Sequence, residues 1–216
     1  MIHVVDRSNA AAYADLLDQY FRVRHDIFVV ERGWSTLARA DGRERDQFDT
    51  EDATYVLAIE DGKIVAGSRL VPCDRPTLLG EVYPWMVQRG APPSDAATIE
   101  WTRVFVVKDR REGRFGGRLT GEITCALVAH ALDQGAEALC GVVDAWWLPF
   151  FVEQGFVVKP LGLPETLDGK EAIAIHLPIT SRTLADLERH HGVAPGLPRH
   201  RQPEAPRPRL DTGRGA

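Results

Sequence analysis

The stretch TIEWTRVFVVKDRREGRFGGRLTGEITCALVAHALDQGAEALCGVV, residues 98–143, decides the fold. Its first part is rich in β-branched and aromatic side chains, and it predicts a strand over 98–107. A glycine-rich turn at 113–117 follows, and apolar residues at helical spacing then predict a helix over 119–134. The apolar run at 139–143 predicts a buried strand, so the centre of the chain is expected to form a strand–helix–strand unit.

The segments on both sides of this unit continue the alternation of helices and strands. Upstream we expect a strand, a long amphipathic helix, a polar loop, a hairpin and a short helix, over residues 1–5, 8–31, 35–52, 54–71 and 79–88. Downstream we expect a short helix, two strands and a closing helix, over residues 147–154, 156–158, 172–177 and 183–190. The pattern predicts one α/β domain over 1–192, with a mixed twisted sheet flanked by helices, and a disordered Pro/Arg-rich tail over 193–216.

Composition excludes several classes of protein. The chain has 216 residues, 44% of them hydrophobic and 26% charged, which suits one domain with a substantial core. Its net charge of −5 argues against a general nucleic-acid binder. No apolar run is long enough for a membrane span, and the start lacks the pattern of a signal peptide. The three cysteines stand in apolar contexts, so we expect reduced thiols in a cytoplasmic protein.

Charged and aromatic side chains in the first half lie among segments that otherwise resemble core. They are Arg24, Phe28, Trp34, Asp46, Asp49, Arg69, Glu100 and Arg103. Taken singly, each has an ordinary explanation as a helix-edge arginine, a core aromatic, a capping carboxylate or an ion pair. Together they suit a zwitterionic ligand, with a guanidinium for its acid and with carboxylates and aromatic faces for its cation. Alternation along a strand sends Glu100 and Arg103 to opposite faces unless a bulge intervenes.

Two later segments carry further signals. The glycine-rich turn precedes a helix and has basic residues around it, so it suits a pyrophosphate or an acidic carrier protein, although a solvated basic loop explains it too. These basic residues are Lys108, Arg110, Arg111, Arg114 and Arg118. The aromatic segment at 144–151 contains adjacent tryptophans, which we expect not to share one face. At least one of them should line a cavity or the surface.

In this order the residues resemble the acyl-homoserine-lactone synthases, the LuxI-type autoinducer synthases of bacterial quorum sensing, over about residues 3–180. The match runs through Arg24-x-x-x-Phe28, Trp34, Asp46-x-x-Asp49, Arg69-Leu70-x-Pro72 and Glu100-x-x-Arg103. That family is similar in fold to the GNAT acyltransferases, so the resemblance implies a single GNAT-like domain. Tyr83 departs from the usual phenylalanine, and Val104 departs from the usual aromatic residue.

The resemblance implies a reaction between two small molecules. S-adenosylmethionine (SAM) would supply the amine, an acyl thioester would supply the acyl group, and no cofactor, metal, nucleic acid or membrane insertion would be involved. The segment around Trp146-Trp147 looks like the branch that uses acyl-coenzyme A (acyl-CoA) with aryl or branched acyl groups, rather than acyl-carrier protein. The product would be a quorum-sensing lactone, and methylthioadenosine would be released.

The resemblance also assigns roles to residues. SAM would be held by Arg24, Phe28, Trp34 and Arg103. The acyl group and thioester would be held by Tyr83, Val104, Phe105, Val106, Asp144, Trp146, Trp147 and Phe150. The catalytic set would be Glu100, Arg103, Asp46, Asp49 and Arg69, in which Asp46, Asp49 and Arg69 form an ionic cluster that orders the loop over SAM.

The implied chemistry needs a neutral amine. An α-amino group has a pKa of about 7.7–8.0, so roughly a tenth is neutral at pH 7. Glu100 is the hypothesised base, and burial should raise its pKa. Backbone N–H groups near Val104–Val106 would hold the oxyanion. The carboxylate of the acylated substrate would then close the lactone, a step that depends mostly on positioning.

Two rival functions stay open. One is a GNAT-type N-acyltransferase acting on another amine, which shares the thioester cleft but does not predict the N-terminal charged set. The other is a non-enzymatic binding protein on the same fold. The sequence leaves the acyl group, the choice between acyl-CoA and carrier protein, and the oligomeric state undetermined.

Overall fold

The computed structural model describes residues 1–113 and 117–203. The strands are β1 (Ile2–Val5), β2 (Thr54–Glu60), β3 (Lys63–Pro72), β4 (Thr98–Val106), β5 (Ala138–Asp144), β6 (Lys159–Pro160), β7 (Glu165–Leu167), β8 (Lys170–Pro178) and β9 (Arg199–His200). The helices are α1 (Ala14–Arg24), α2 (Leu78–Glu81), α3 (Gly117–Asp133), α4 (Leu148–Glu153) and α5 (Ser181–His191).

Over the described residues, the strands form one mixed sheet in the order β6-β8-β5-β4-β3-β2-β1-β9, with β7 paired to β8. The β4–β5 and β1–β9 pairs are parallel, and the others are antiparallel. A parallel pair needs a crossover connection, and α3 supplies it between β4 and β5. The prediction of one α/β domain with a mixed sheet flanked by helices is confirmed.

Each face of the sheet carries its own apolar core. On one face, α3 and α5 pack over strand residues such as Leu139 and Ile175, and Leu127 of α3 belongs to the same core. On the other face, α1 packs over residues such as Leu57 and Phe105. The functional side chains described below lie mainly on the α1 face, at the end of the sheet where β4 and β5 separate.

The separation of β4 and β5 opens a gap in the middle of the sheet. Their register covers only Thr98–Glu100 against Ala138–Cys140, although both strands continue beyond it. Gly141 stands at the branch point, where an added Cβ would lie 2.8 Å from the Trp101 carbonyl oxygen. A larger residue would therefore force the two strands apart sooner.

A bulge in β4 decides where Arg103 points. Gly67 pairs with Phe105 and Arg69 pairs with Thr102, so β4 has one extra residue between these pairs. Arg103 takes up the extra step with a φ of 56°, which is uncommon for a residue other than glycine. The bulge brings Arg103 to the face that already holds Arg69. Strict alternation, which would send Glu100 and Arg103 to opposite faces, is therefore interrupted in β4.

Three of the expected elements differ in detail. The helix predicted over 8–31 is a 3-10 turn at Ala10–Tyr13, then α1, then a π-helical segment at His25–Glu31. The helix predicted over 79–88 is α2 followed by a 3-10 turn at Pro84–Met86. The strand predicted over 156–158 is wrong, because Phe156 is buried as an irregular core residue and the strand begins at Lys159.

The prediction of a disordered tail is wrong for residues 193–203. Val193 is buried, and β9 lies parallel to the outer edge of β1. Arg201 pairs with Asp6 at 2.5 Å, and Arg199 pairs with Asp133. These ion pairs and the strand pairing offset the lack of apolar residues. The expectation for 204–216 lies outside the described residues, and within the described chain no helix has the length and apolarity to cross a membrane.

Candidate active site

Six ionisable side chains form a buried network on the α1 face, which we call the charge cluster. Its members are Arg24, Glu44, Asp46, Asp49, Arg69 and Arg103. Three guanidinium groups face three carboxylates, so the cluster is neutral as a whole. That balance is what allows so many charges to be removed from water.

The contacts join the first helix, the loop and two strands. Arg24 donates through Nε to Glu44 at 2.5 Å, and through Nη1 and Nη2 to Asp49 at 2.7 and 3.0 Å. Arg69 makes a forked pair with Asp46 at 2.5 and 3.1 Å. Arg103 donates twice to Glu44 at 3.0 Å and once to Asp46 at 2.8 Å. Forked pairs fix direction as well as distance, so they hold the loop in one place.

Ionisation of the cluster follows from its own charges. Burial opposes the charge on Asp49, but Arg24 and Arg69 outweigh it and hold the pKa of Asp49 well below its usual value. Burial likewise opposes the charge on Glu44, whose pKa is lowered by Arg24 and Arg103. Burial disfavours the charge on Arg69 as well, yet Asp49 and Asp46 raise its pKa. All three groups are therefore charged at neutral pH.

The sequence placed most of this cluster correctly and missed one member. Asp46, Asp49, Arg69 and Arg103 lie together, but Glu44 was absent from the predicted set. A count of charges could have found Glu44. Glu100 lies apart from the three arginines, so Asp46 and Asp49 alone leave the arginines one carboxylate short.

The expected contact between Arg24 and SAM differs from the structure. Arg24 is fully buried, and all of its donor nitrogens face Glu44 and Asp49. The structure therefore places Arg24 in the charge cluster and gives it no surface on an open cavity.

Phe28 and Trp34 form an aromatic platform beside the cluster. Their rings are stacked with centroids 5.1 Å apart, and the guanidinium carbon of Arg103 lies 5.6 Å from the Phe28 centroid. Arg32 lies 4.9 Å from the same centroid. The π-helical segment carries Phe28 and leads to Trp34, whose backbone N–H donates to the Phe28 carbonyl. Both residues thus meet the expectation of two neighbouring aromatic faces.

A cavity of about 290 Å³ opens between this platform and the gap in the sheet. Its lining residues are Arg32, Trp34, Val104, Phe105, Val106, Arg111, Thr120, Asp144, Trp146, Trp147 and Lys170. Seven of the residues predicted from the sequence lie on this one surface. The size is at the lower end of small-molecule sites.

Arg32 lines the cavity and was not singled out from the sequence. Within the described chain it has no ion-pair partner, whereas Arg111 on the same cavity pairs with Glu31. Arg32 is exposed to solvent at the cavity, yet partial loss of water around its guanidinium, together with the positive charge of Arg111, lowers its pKa. A guanidinium on a cavity wall without a carboxylate partner suits the acid group of a ligand. Its position four residues after Phe28, directly after the end of the predicted helix, was the available signal.

The aromatic end of the cavity differs from the prediction, because both tryptophans line it. Trp146 and Trp147 stack on each other with centroids 4.7 Å apart, and both line the cavity, which was not expected of adjacent tryptophans. A 3-10 turn at Ala145–Trp147 makes this possible.

Phe150 is buried behind Trp147 and supports it. Tyr83 lies outside the cavity, beside Trp85 and a separate apolar cluster near α2.

Glu100 is buried and serves as the anchor of α2. Its two carboxylate oxygens accept the backbone N–H groups of Leu78 at 2.9 Å and Leu79 at 2.6 Å. Burial raises the pKa of Glu100, and these hydrogen bonds oppose the rise. The expected direction of the shift is confirmed.

The basic residues near the glycine-rich turn are mostly engaged elsewhere. Arg110 pairs with Glu60, Arg111 with Glu31, and Arg118 with Glu122. The expected anion site involves residues 114–116, which lie outside the described residues, as does Arg114.

The fold and the site together define an α/β protein with the N-acyltransferase fold, in which the central strands diverge beside a cavity. An acyl-CoA N-acyltransferase from Pseudomonas aeruginosa shares the fold with a TM-score of 0.52, covering 82% of this chain and 97% of that one. Its identity of 18% shows the fold alone.

The sequence profile of the autoinducer synthases matches residues 8–187, and this chain belongs to that family. It is 42% identical to the isovaleryl-homoserine lactone synthase of Bradyrhizobium diazoefficiens, over 96% of this chain and 91% of that protein. It is 32% identical to an acyl-homoserine-lactone synthase of Ralstonia nicotianae, over 76% of this chain and 82% of that protein. The resemblance seen in the sequence is confirmed.

Solved structures agree with these relatives. BjaI, a CoA-dependent acyl-homoserine lactone synthase solved with SAM and isopentyl-CoA, has a TM-score of 0.87 and 41% identity, with 95% of both chains covered. MesI, another CoA-dependent acyl-homoserine lactone synthase, has a TM-score of 0.81 and 35% identity, covering 90% of this chain and 96% of that one. The GNAT-like fold is confirmed.

Proposed function

We propose that this chain is a cytoplasmic synthase that joins the amine of SAM to a branched-chain acyl group from acyl-CoA. The acylated intermediate then closes to a homoserine lactone and releases methylthioadenosine, so a quorum-sensing signal is made. No bound cofactor is needed, because the two substrates contribute every atom of the product.

The observation that carries this proposal is the position of the cavity. It lies between the Phe28–Trp34 platform and the gap where β4 and β5 diverge, so it can hold an amine substrate and a thioester side by side. A transferase needs both reactants within reach of each other, and this is the place in the described chain where a zwitterion-binding surface meets unpaired strand edges.

The residues around the platform suit the groups of SAM. The face of Trp34 suits the sulfonium or the purine, since aromatic rings attract cations and stack on bases. Arg32 would bind the carboxylate, taking the role that the sequence assigned to Arg24. The charge cluster would hold the loop and Arg103 in place beside the platform.

The donor end of the cavity suits an acyl thioester. The backbone of Val104–Val106 is next to the gap and supplies the proposed oxyanion contacts. Trp146 and Trp147 form an apolar wall suited to a compact acyl group. The choice of acyl-CoA and of a branched acyl group is supported by the high identity to the isovaleryl-homoserine lactone synthase and to BjaI.

Glu100 remains the proposed general base. A carboxylate has about four lone-pair positions, and the two N–H groups from α2 occupy only part of them. A water molecule on a remaining lone pair can carry a proton from the amine to Glu100. The raised pKa brings this carboxyl closer to the range in which a base works well at neutral pH.

The test uses the purified full chain with SAM and a panel of donors: isovaleryl-CoA, straight-chain acyl-CoAs, aryl-CoAs and acyl-carrier proteins. Mass spectrometry identifies the lactone, and methylthioadenosine and free coenzyme A are measured in the same samples. We expect isovaleryl-homoserine lactone with stoichiometric methylthioadenosine. Preference for an acyl-carrier protein, or for a long straight chain, would reject the donor assignment.

The rival N-acyltransferase is separated by the same assay. An enzyme that acylates another amine releases coenzyme A without forming methylthioadenosine. Release of coenzyme A that depends on an added amine other than SAM would favour that rival.

A further inference from the structure

Gly67 of β3 lies beneath two aromatic rings on the α1 face of the sheet. A Cβ atom added to Gly67 would lie 2.8 Å from Cε2 of Tyr20 in α1, and 3.0 and 3.1 Å from Cζ and Cε1 of Phe105 in β4. Gly67 and Phe105 are paired across the β3–β4 register, so the ring of Phe105 covers the place that a side chain at this position would occupy. The φ of Gly67 is not positive, so space alone excludes a larger residue.

These two rings begin a series of contacts that ends at the cavity. Tyr20 and Phe105 are stacked with centroids 5.7 Å apart. Phe105 meets Phe28 edge to face, with centroids 6.2 Å apart, and Phe28 stacks on Trp34. Phe105 and Trp34 line the cavity, whereas Gly67 does not. Phe105 therefore connects Gly67 to the aromatic platform.

Tyr20 has no room to move away from a new methyl group. Its ring centroid lies 5.2 Å from that of Tyr55 and 5.5 Å from that of Phe21, and the guanidinium carbon of Arg24 lies 5.3 Å from it. The hydroxyl group of Tyr20 has no hydrogen-bond partner within the described residues, so packing alone fixes the ring. Protein interiors are packed as densely as organic crystals, and a ring enclosed in this way resists displacement.

Phe105 can move, because the platform beyond it borders the cavity of about 290 Å³. A methyl group on residue 67 would push Phe105 towards Phe28, and would push the platform into the cavity. We propose that Gly67 is a positioning residue for SAM. Its missing side chain sets the place of Phe105 and, through Phe105, the place of the platform. This inference rests on the proposed function, which assigns the platform to SAM.

Gly67→Ala tests the proposal in the full chain, because it adds only the methyl group that the rings exclude. A misplacement of about 1 Å can cost about a hundredfold in rate, and the shift here is a fraction of that. We expect KM for SAM to rise about fivefold or more, and KM for isovaleryl-CoA to change by less than about twofold. A purely structural loss would lower Vmax and leave both KM values unchanged, because the remaining folded enzyme would bind as before.

Gly121→Ala is the matched control. A Cβ atom at Gly121 in α3 would lie 2.5 Å from the ring of His191 in α5, so this variant also crowds a packed contact, but on the other face of the sheet. It should lower the urea midpoint, as Gly67→Ala does, and leave KM for SAM unchanged. An equal rise of that constant in both variants would overturn the proposal.

Phe105→Leu tests whether the effect passes through the ring. Leucine lacks the two ring atoms that crowd residue 67, and the space it frees lets Tyr20 shift as well. Phe105→Leu should itself raise KM for SAM, because the edge contact with Phe28 is lost. In this background, Gly67→Ala should change that constant by less than about twofold, since the two positions are coupled. The same fold-change in both backgrounds would contradict the proposed route.

A crystal structure of Gly67→Ala supplies a readout that needs no activity. The ring of Phe105 should be displaced towards Phe28, relative to a crystal structure of the unmodified chain, and an unmoved ring would overturn the proposal. If the unmodified chain makes the lactone and Gly67→Ala leaves KM for SAM unchanged, this inference fails and the proposed function stands. An unmodified chain that makes no lactone from SAM would instead reject the proposed function, and the position of the ring would still decide whether Gly67 sets the platform.

Discussion

Glu44 shows how a single side chain can complete a buried network. Its carboxylate accepts from both Arg24 and Arg103, and so it links the first helix to the bulge in β4. Without it, three guanidinium groups would face only two carboxylates in a region closed to water. The residue therefore matters through charge balance, even though it touches no part of the cavity.

Glu44→Gln tests this balance. The amide keeps the shape but leaves one buried positive charge unmatched, so we expect a loss of about 3–5 kcal/mol in the free energy of unfolding. Urea denaturation at pH 7 measures it. Glu60→Gln is the control, because the Glu60–Arg110 pair is exposed and is worth about 1 kcal/mol or less. Equal effects of the two substitutions would show that the cluster is not needed for stability.

Arg32→Gln tests the proposed seat of the SAM carboxylate. Losing a hydrogen bond to a charged group costs about 1.5–3 kcal/mol, so KM for SAM should rise about tenfold or more. The KM for acyl-CoA should change little, and steady-state kinetics with each substrate varied in turn separates the two constants. Arg110→Gln, outside the cavity, is the control and should leave both unchanged. A rise confined to the acyl-CoA constant would place Arg32 at the donor instead.

At this scale the sequence indicated the site only where charge stood out against apolar neighbours. Asp49, Arg69 and Arg103 were found because their segments otherwise look buried. Glu44 was missed because it lies in an alternating run, Arg43-Glu44-Arg45-Asp46, which is typical of a solvated loop. The pattern of neighbours does not reveal burial that comes from distant segments.

Among the elements, α2 depends on a neighbour for its order. It has only four residues, too few for a helix to be stable alone, and the Glu100 carboxylate takes two of its first N–H groups. The same carboxylate is the proposed base. One carboxylate, that of Glu100, therefore both holds α2 in place and is the proposed proton acceptor.

Glu100→Ala should loosen α2, because the amides of Leu78 and Leu79 lose their acceptor. We expect faster hydrogen exchange in peptides covering residues 77–86, with the rest of the sheet unchanged, by mass spectrometry. Glu81→Ala, an exposed change in the same helix, is the control. Glu100→Gln keeps one acceptor oxygen and should perturb exchange less, yet it should lower turnover. Unchanged exchange in Glu100→Ala would show that α2 is held by other contacts.

Elements with a regular repeat were predictable from sequence, and irregular ones were not. The hairpin and α3 follow from alternation and helical spacing. The π-helical segment after α1 has the same apolar residues as a regular helix, so spacing alone did not reveal it. β6 and β7 were missed because strands of two and three residues are too short to show alternation. From the sequence, a bulge in β4 could be named only as the circumstance under which Glu100 and Arg103 would not point to opposite faces. The structure shows that the bulge is present at Arg103.

For the whole molecule, the charge cluster should make stability depend on acidity. The pKa values of Glu44 and Asp49 are lower in the folded state than in the unfolded chain, so the unfolded chain takes up protons first as the pH falls. Their contribution is complete at neutral pH and is lost below about pH 5. The raised pKa of Glu100 has the opposite effect on stability as the pH falls, but only one group acts in this direction against the two carboxylates Glu44 and Asp49.

Urea midpoints measured from pH 7 to pH 3.5 should therefore fall steadily on the acid side. The Glu44→Gln variant should show a shallower fall, because it has one fewer carboxylate to protonate. A wild-type curve that is flat between pH 5 and pH 3.5 would argue that these carboxylates are not depressed in the folded state.

The central elements of the sheet were more predictable from the sequence than its edge strand β9. The strand–helix–strand centre and the hairpin carry strong periodic signals, and together they define the sheet. The pairing of β9 with β1 was not foreseen, since a Pro- and Arg-rich segment has the composition of a disordered tail. Its order depends on ion pairs with Asp6 and Asp133, which are remote in sequence.

The β1–β9 pair also has a consequence during synthesis on the ribosome. β1 emerges long before β9, the partner of its outer edge, which follows roughly 200 residues later in the chain. At about 5–20 residues per second, that edge stays bare for roughly ten seconds or longer. Nascent chains on crowded polysomes are therefore most prone to edge-to-edge association in this interval, which ends once β9 has emerged and paired with β1.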